Sequence, residues 1–416
     1  MLVGAPSKRS AARLQVSEHL EELERLADTA GAQVVGTLVQ ALDRPNPATY
    51  LGKGKIDELG ELIGRTNASL LIFDDELTPA QAKNVEDATG KRVMDRAELI
   101  LDIFATRARS SEAKMQVELA QLEYMLPRLT RMWTHLERFR GGIGMRGPGE
   151  TQLETDRRLI QHRIKVLRTK IAEVGRARAV QRQARQGAFR AALVGYTNAG
   201  KSSVLRELSG VREVFVEDRL FATLDPLTRE VEVGDGYKVL LTDTVGFIRK
   251  LPHNLVASFR ATLEEAKEAD LLLHVIDASH PAWEEHRFVV DQVLAELGAL
   301  DRPVLHVFNK VDALPEEAFG GLRERVTALL PNSVFVSAVT EGGLEPLRRA
   351  LARAARETRP LAELRVSARN GGLLAEVYRA GEVLDQRTEG EDVILRARLD
   401  GATLGRLRRA GAVVTV

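Results

Sequence analysis

The sequence predicts a multi-domain α/β protein, and three features carry that expectation. From Ala188 onward, short aliphatic runs alternate with helix-spaced segments, the pattern of a doubly wound, mostly parallel sheet buried on both faces. Residues 30–105 repeat the alternation on a smaller scale, and 106–187 carry a heptad rhythm. The last ~55 residues resemble a small, separate α+β module of domain-like composition. The expected segments are an N-terminal α/β subdomain (1–105), a basic helical hairpin with a glycine-rich tip loop (106–187), the doubly wound domain (188–357) and a C-terminal α+β domain (358–416).

In the first segment, 33–39 (QVVGTLV) and 70–73 (LLIF) predict buried strands, with 92–94 as a short third. Helical spacing covers 55–65 and 78–89, the latter opening on Thr78-Pro79 as cap and first-turn residue. Strands interleaved with helices predict a parallel sheet. Next, Met115, Leu119, Leu122, Leu126, Leu129, Trp133 and Leu136 recur at steps of four and three, with Pro127 expected to kink the helix. Leu153, Ile160, Ile164, Leu167, Ile171 and Val174 resume the rhythm after a glycine-rich break, predicting an antiparallel hairpin. Its arms should be on the order of 35–40 Å long at 1.5 Å per residue. In the doubly wound domain, strands are expected at 191–194, 231–233, 237–242, 271–276, 304–308 and 334–336, the second and third as a hairpin. Beyond Arg359-Pro360, strands are expected near 393–397 and 413–416.

Composition narrows the function classes. The 416 residues include no cysteine, which excludes disulfides and thiolate metal sites. A secretory h-region needs roughly 7–15 apolar residues and a spanning helix about 20, and neither run occurs; a cytoplasmic protein without a transmembrane segment is expected. Net charge is +1, yet 106–187 holds 18 Lys/Arg against 8 Asp/Glu. Such asymmetry suggests that the hairpin meets a polyanion, the plainer reading being a solvated helical surface.

The chemistry concentrates at strand ends. The run Gly195-Tyr196-Thr197-Asn198-Ala199-Gly200-Lys201-Ser202, followed by Ser203, is the phosphate loop G-x-x-x-x-G-K-[ST] between a strand and a helix. Its backbone N–H groups converge on phosphate oxygens, Lys201 reaches the β- and γ-phosphates, and the Ser202 hydroxyl is a Mg²⁺ ligand. Asp243-Thr244-Val245-Gly246 supplies a carboxylate that holds Mg²⁺ through water and an N–H for the γ-phosphate. Phe221-Ala222-Thr223-Leu224-Asp225 offers Thr223 as the second hydroxyl on Mg²⁺. Asn309-Lys310-Val311-Asp312 turns the reading from ATP to GTP, because an Asp carboxylate accepts from both N1–H and the exocyclic amine of guanine. Ser337-Ala338-Val339 completes the set, its amides expected to face the guanine carbonyl. Together these predict a P-loop GTPase with Lys201, Thr223 and Gly246 in catalytic roles. Phe247 stands where small signalling GTPases carry the glutamine that orients water, so intrinsic hydrolysis is expected to be slow. Arg229 and Arg249 are weak candidates for a cis arginine, each read more plainly as a solvated surface residue.

The chain resembles the HflX family of translation-associated GTPases. The likeness rests on Phe221-Ala222-Thr223-Leu224-Asp225-Pro226, on Tyr50-Leu51-Gly52-Lys53-Gly54-Lys55, and on the segment 141–156 (GGIGMRGPGETQLETD). It implies binding to the large ribosomal subunit and its rRNA, not DNA, and a role in splitting or rescuing ribosomes, with the hairpin loop approaching the peptidyl-transferase centre. Leu227 departs from the polar residue common there but touches no assigned role. Arg140 and Arg146 on the tip, and Lys53 and Lys55 before a helix, are the candidate RNA contacts. A monomer is expected off the ribosome. Two other classes stay open: a signalling or membrane-linked GTPase, and an RNA-binding or helicase-like NTPase. Asp74-Asp75-Glu76 reads as a polar turn rather than a metal site, and His274 and His306 as core or strand-flanking histidines.

Overall fold

The computed structural model describes residues 1–6, 16–129, 148–183, 188–211, 220–234, 237–251, 265–299 and 301–415. The expected heptad positions Trp133 and Leu136, the tip with Arg140 and Arg146, and the side chain of Leu153 lie outside what is described. By packing the chain forms two units. One comprises Met1–Gly175 with Glu217–Asp225 and Ile248–Thr262; the other comprises Arg176–Val216, Pro226–Phe247 and Leu263–Val416.

The first unit is built on a four-stranded sheet in the order β2-β1-β3-β4, all parallel. Its strands are β1 (Leu2–Gly4), β2 (Thr37–Val39), β3 (Leu70–Phe73) and β4 (Arg92–Asp95). Strand β1 was not anticipated: three residues are too few to show a period, yet all three are buried. The strand expected over 33–39 shortens to its last three residues. Helix α1 (Val16–Thr29) buries Leu20, Leu23 and Leu26; α2 (Lys53–Thr66) buries Ile56, Leu59 and Ile63, one stripe at helical spacing. Helix α3 (Pro79–Thr89) starts with a full capping box, the Gln81 amide donating to Thr78 Oγ1 at 3.2 Å and the Thr78 amide to Gln81 Oε1 at 3.0 Å. Helix α4 (Arg96–Arg107) is capped by Asp95, which accepts from the Glu98 amide at 2.9 Å.

Helix α5 (Ser111–Met125) passes at Pro127 into a 3-10 turn, Leu126–Arg128, because proline lacks the N–H that the next α-turn needs. It packs against α6 (Pro148–Gln183) through Leu119, Ile164 and Leu167, with Met115, Leu122, Leu126, Ile160 and Ile171 at the margin. The heptad spacing therefore made a seam. Glu118–Arg163 at 2.6 Å and Glu123–Arg168 at 2.7 Å flank it. Helix α6 has 36 residues, about 54 Å at 1.5 Å per residue. That exceeds the expected arm because the helix begins at Pro148, ahead of the first heptad residue Leu153, and runs on past Val174 to Gln183, proline being well suited to a first turn. The base of the arm is held by Asp95: Tyr124 Oη donates to Oδ1 at 2.9 Å, and Arg128, stacked on the Tyr124 ring at 3.6 Å, reaches Oδ2 at 3.4 Å. Burial, and then the Asp95 charge, push the Tyr124 phenol well above its ordinary range.

The second unit carries a six-stranded sheet in the order β10-β9-β8-β5-β7-β6. The strands are β5 (Phe189–Gly195), β6 (Leu227–Gly234), β7 (Tyr237–Asp243), β8 (Leu271–Asp277), β9 (Val304–Asn309) and β10 (Ser333–Phe335), parallel except for the β6–β7 hairpin. Helices α7 (Lys201–Ser209) and α10 (Glu345–Glu357) share one core with Leu193, Val239 and Leu273. Helices α8 (Trp283–Glu296) and α9 (Glu316–Leu329) cover the other face through Trp283 and Val326, packed with Ile276 and Phe308. His274 is buried beside Asp291 at 3.4 Å and burial lowers its pKa, as befits a core histidine. Residues 361–415 form β11 (Leu361–Ser367), α11 (Gly371–Ala380), β12 (Glu382–Glu389), β13 (Asp392–Arg398), α12 (Gly401–Arg409) and β14 (Val413–Thr415), an antiparallel sheet ordered β12-β13-β11-β14. Tyr237 Oη donates to Glu382 at 2.7 Å and stacks under Arg359 at 4.4 Å, fixing this sheet to the β6–β7 hairpin. Among the described residues no helix is long and apolar enough to cross a membrane.

Candidate active site

Parallel strands β5, β7, β8 and β9 end on one edge, and the predicted loops leave from those ends. Gly200 opens α7 at φ 93°, where a Cβ would sit 2.2 Å from Asn309 Nδ2. Conformation and space both demand glycine there. Gly246 is constrained differently: a Cβ would lie 2.9 Å from Thr197 Cα and 3.0 Å from Lys201 Nζ. The two loops are tied by backbone bonds, Thr197 N–H to Phe247 O at 2.7 Å and Phe247 N–H to Gly195 O at 3.1 Å.

Lys201 is buried and folds back on the loop, donating to Tyr196 O at 2.8 Å and Gly195 O at 3.2 Å. Burial lowers its pKa to about 8; Asp243 opposes that shift and Lys310 adds to it. Ser202 Oγ donates to Asp243 Oδ2 at 2.6 Å, so the two expected metal-site residues of this unit meet. Both offer hard oxygen donors, the chemistry Mg²⁺ takes. Thr197 Oγ1 is buried with no hydrogen-bond partner among the described residues, a polar group of the sort a bound ligand satisfies. Asn198 holds a left-handed turn at φ 59°, and Ser203 is half-buried in the first turn of α7. Thr244 Oγ1 donates to Leu193 O at 2.7 Å and Val245 is buried, so both side chains serve packing.

Asn309, 1% exposed, joins three elements: Nδ2 donates to Ala199 O at 3.0 Å, and Oδ1 accepts from Ala338 N–H at 3.2 Å. Asn309 thereby ties its own loop to the phosphate loop. Lys310 adopts φ 64° and pairs with Asp277 at 2.6 Å. Val311 packs against the Phe308 core and Asp312 is exposed in a 3-10 turn at the strand end. Ser337 N–H donates to Gly343 O at 3.2 Å, and Ser337 Oγ accepts from the Val339 amide at 3.3 Å. The amides expected to face a base carbonyl are therefore bonded internally here, and a base would have to share them.

Thr223, Ala222 and Asp225 are half-buried, and Phe221 and Leu224 buried, within the segment that packs into the first unit. Lys53 is exposed at the start of α2, whereas Lys55 is paired with Glu58 at 2.8 Å. Two expectations need correction. Arg249 is not a solvated residue: it is 14% exposed and paired with Asp74 at 3.2 Å. Asp74 in turn is no simple polar turn, being 5% exposed and bound also by Arg96 at 2.7 Å and Lys250 at 2.7 Å. Arg229, by contrast, is half-buried and donates to Thr228 O at 3.1 Å. Sequence reading also missed Asp277, although it ends an apolar run as Asp243 does. It missed His286 too, which stacks on the Tyr196 ring at 3.8 Å and carries no local signal.

Residues 17–105 match the family described as GTP-binding GTPase N-terminal, 107–185 its middle region, and 190–310 the family described as 50S ribosome-binding GTPase. The chain is 47% identical over 393 residues to the GTPase HflX of Magnetococcus marinus, covering 94% of this chain and 90% of that protein. The chain belongs to the HflX family of GTPases. Identity to the family member of Flavobacterium psychrophilum is 52% over 299 residues, 72% of each chain, and to that of Escherichia coli 48% over 336 residues, 80% of this chain and 78% of the other. Among solved structures it is similar to a GTP-binding protein of Sulfolobus solfataricus in complex with GDP, 26% identical over 86% of this chain and 98% of that one, with a TM-score of 0.45. As an HflX GTPase, the chain binds GTP and hydrolyses it.

Proposed function

We propose that this HflX-family GTPase is a cytoplasmic, monomeric factor that binds the large ribosomal subunit and splits or rescues ribosomes, with Mg²⁺-dependent GTP hydrolysis as its switch. In this reading the chain works as four parts, 1–105, 106–187, 188–357 and 358–416. The observation that carries it is α6, a helix of 36 residues presenting Arg157, Lys165, Lys170 and Arg176 exposed along its length. A long rigid arm bearing cations suits insertion between rRNA phosphates. The matched family's own description, a 50S ribosome-binding GTPase, supports the same partner. A membrane-linked role would require the same cations to meet lipid headgroups and draws no support from the family descriptions.

At the nucleotide, the converging amides of 195–202 would bind the α- and β-phosphates. Lys201 would leave its carbonyl partners for the β- and γ-phosphates, the ligand charge restoring the proton that burial disfavours. Ser202 and, through water, Asp243 would hold Mg²⁺, with Thr223 completing the set once GTP is bound. When bound, the ion neutralises charge on the β- and γ-phosphate oxygens. Gly246 would offer its N–H to the γ-phosphate, and Asp312 would read guanine over the Lys310 stem. Phe247 is fully buried and apolar, so it positions no water. The missing group must come from the ribosome, making intrinsic turnover slow and subunit-stimulated.

The test is GTP turnover and co-sedimentation with purified 50S particles at two salt concentrations. Because α6 begins at Pro148, the tip deletion should span 141–147 only. That variant should keep GTP binding and lose ribosome-dependent splitting. Splitting at the parent rate would sink the tip assignment, and absence of salt-sensitive 50S binding in the parent would sink the ribosomal reading.

A further inference from the structure

The segment that carries Thr223 is held on both sides by the N-terminal unit. Two residues before Thr223, the buried Phe221 meets Phe104 of α4 edge-to-face, with ring centroids 4.6 Å apart. Two residues after it, Asp225 sits at the start of α5. Its Oδ2 accepts from the Arg109 amide at 3.1 Å and the Ser110 amide at 3.2 Å, and its Oδ1 accepts from the Ser110 hydroxyl. Ser110 is the N-cap of α5, and its Oγ also accepts from the Ala113 amide at 3.0 Å. A carboxylate on the N-cap residue and on the amide just before it, facing the positive end of the helix, is the favoured electrostatic arrangement. Phe221 adopts φ 57°, a left-handed conformation that a bulky residue holds only where its surroundings enforce it.

The other sensing segment is anchored in the same unit. Just beyond Gly246-Phe247, Arg249 and Lys250 both bind Asp74 at the end of β3, and Lys250 also binds Asp75. Lys250 too has a left-handed backbone, at φ 54°.

We propose that Asp225 wires the nucleotide to the helical arm: it is a positioning residue through which Thr223 moves, or holds, the first turn of α5. This rests on the reading of Thr223 as the residue that senses the γ-phosphate and Mg²⁺. Two residues of extended chain span at most about 7 Å. Any displacement of Thr223 beyond that slack must therefore pull Asp225 off those amides or carry α5 with it. Because α5 is pinned at its far end by Asp95, Tyr124 and Arg128, a tug on its first turn reorients a rigid body. A carboxylate on three donors suits this work: directional enough to hold, yet exchangeable with water.

The chain lacks cysteine, so spin labels go where they are placed. With Ala172→Cys on α6 and Glu317→Cys on α9, both exposed positions, electron-electron resonance reports one inter-label distance with GDP and with a non-hydrolysable GTP analogue. Three variants grade the clasp. Ser110→Ala removes one of its three bonds. Ser110→Pro removes two, since φ −70° at Ser110 already fits the proline ring. Asp225→Ala removes all three. The expected result is a nucleotide-dependent shift in the parent, diminished in Ser110→Ala and absent in Ser110→Pro and Asp225→Ala. Ser110→Pro lies outside the nucleotide loops, so its retained binding of the GTP analogue shows that transmission was lost, not occupancy. A parent whose distance ignores the nucleotide overturns the proposal, as does Ser110→Pro or Asp225→Ala moving like the parent. If the shift behaves as stated while 50S co-sedimentation fails, the ribosomal reading falls and the wiring stands.

Discussion

Asn309 and Asp225 are both polar side chains that staple a nucleotide loop, yet they fasten to different things. Asn309 bonds Ala199 and Ala338, loops of its own sheet edge, through an amide that is 1% exposed. Asp225 bonds Ser110, the N-cap of α5, and Arg109 before it, more than a hundred residues upstream in sequence, through a half-buried carboxylate. The first arrangement ties the 309–312 loop to the phosphate loop and to Ala338 through a buried amide. The second can open at modest cost, because water competes for a half-exposed carboxylate. On the proposed reading, recognition would rest on the rigid part and sensing on the exchangeable part, and substitutions on each side should separate the two.

The largest effect is expected on the rigid side, where Lys201→Ala deletes the one buried cation in the phosphate loop. Loss of a preorganised electrostatic group costs ~10²–10³ in kcat, and single-turnover assays with 50S particles present should show hydrolysis near background. Hydrolysis at a tenth of the parent rate would remove Lys201 from the catalytic set. Next comes Asp312→Asn, which on the proposed guanine readout removes two charge-assisted bonds to the base. At about 1.5 kcal/mol each, the low end suited to an exposed carboxylate, GTP affinity should fall ~10²-fold and xanthosine triphosphate, with a carbonyl in place of the amine, should gain. Equal binding of GTP by parent and variant would end the assignment of guanine readout.

Asn309→Ala probes the staple itself. It strands the Ala199 carbonyl and the Ala338 amide in the interior, a loss of about 1–3 kcal/mol per unsatisfied group, read as a lower thermal midpoint of the nucleotide-free protein. The graded Ser110 and Asp225 variants should do the reverse, leaving that midpoint within about 1 kcal/mol of the parent, as for loss of an N-cap. If the two sets shift stability alike, the contrast between rigid and exchangeable staples is lost.

The rigid side was legible in the sequence and the exchangeable side was not, for a physical reason. Gly200, Lys201, Ser202, Asp243 and Asn309 each sit at the end of an apolar run or the start of a helix, so spacing along the chain already encodes their meeting. The heptad seam of α5 and α6 is encoded likewise, by Leu119, Ile164 and Leu167. Asp74 and Arg249, by contrast, lie 175 residues apart, and nothing local marks either as more than a surface charge. Strand β1 failed for want of length, its three residues being readable only once β2 and β3 flank it. The same applies to His286, whose partner Tyr196 is ninety residues away: stacking depends on tertiary placement and leaves no period.

The effect whose sign is least intuitive belongs to Lys201. Burial lowers Lys201 from its ordinary value of 10.5 to about 8. Between those values the unfolded chain holds a proton that the folded, nucleotide-free chain does not, so this group's contribution to stability rises with pH across that window. Below about pH 8 the folded protein bears the burden of a buried, unneutralised ammonium. A triphosphate supplies the opposite charge and raises the pKa again, so GTP binding above about pH 8 must take up a proton, and affinity should fall by up to ~tenfold per pH unit there. Calorimetric titration at pH 8.5 in two buffers of different ionisation enthalpy measures that uptake directly. Asp225, on the exchangeable side, has no such link to Lys201, so the Ser110→Pro variant should show the same proton uptake as the parent. Uptake that vanished in that variant would mean the two staples are not separable after all.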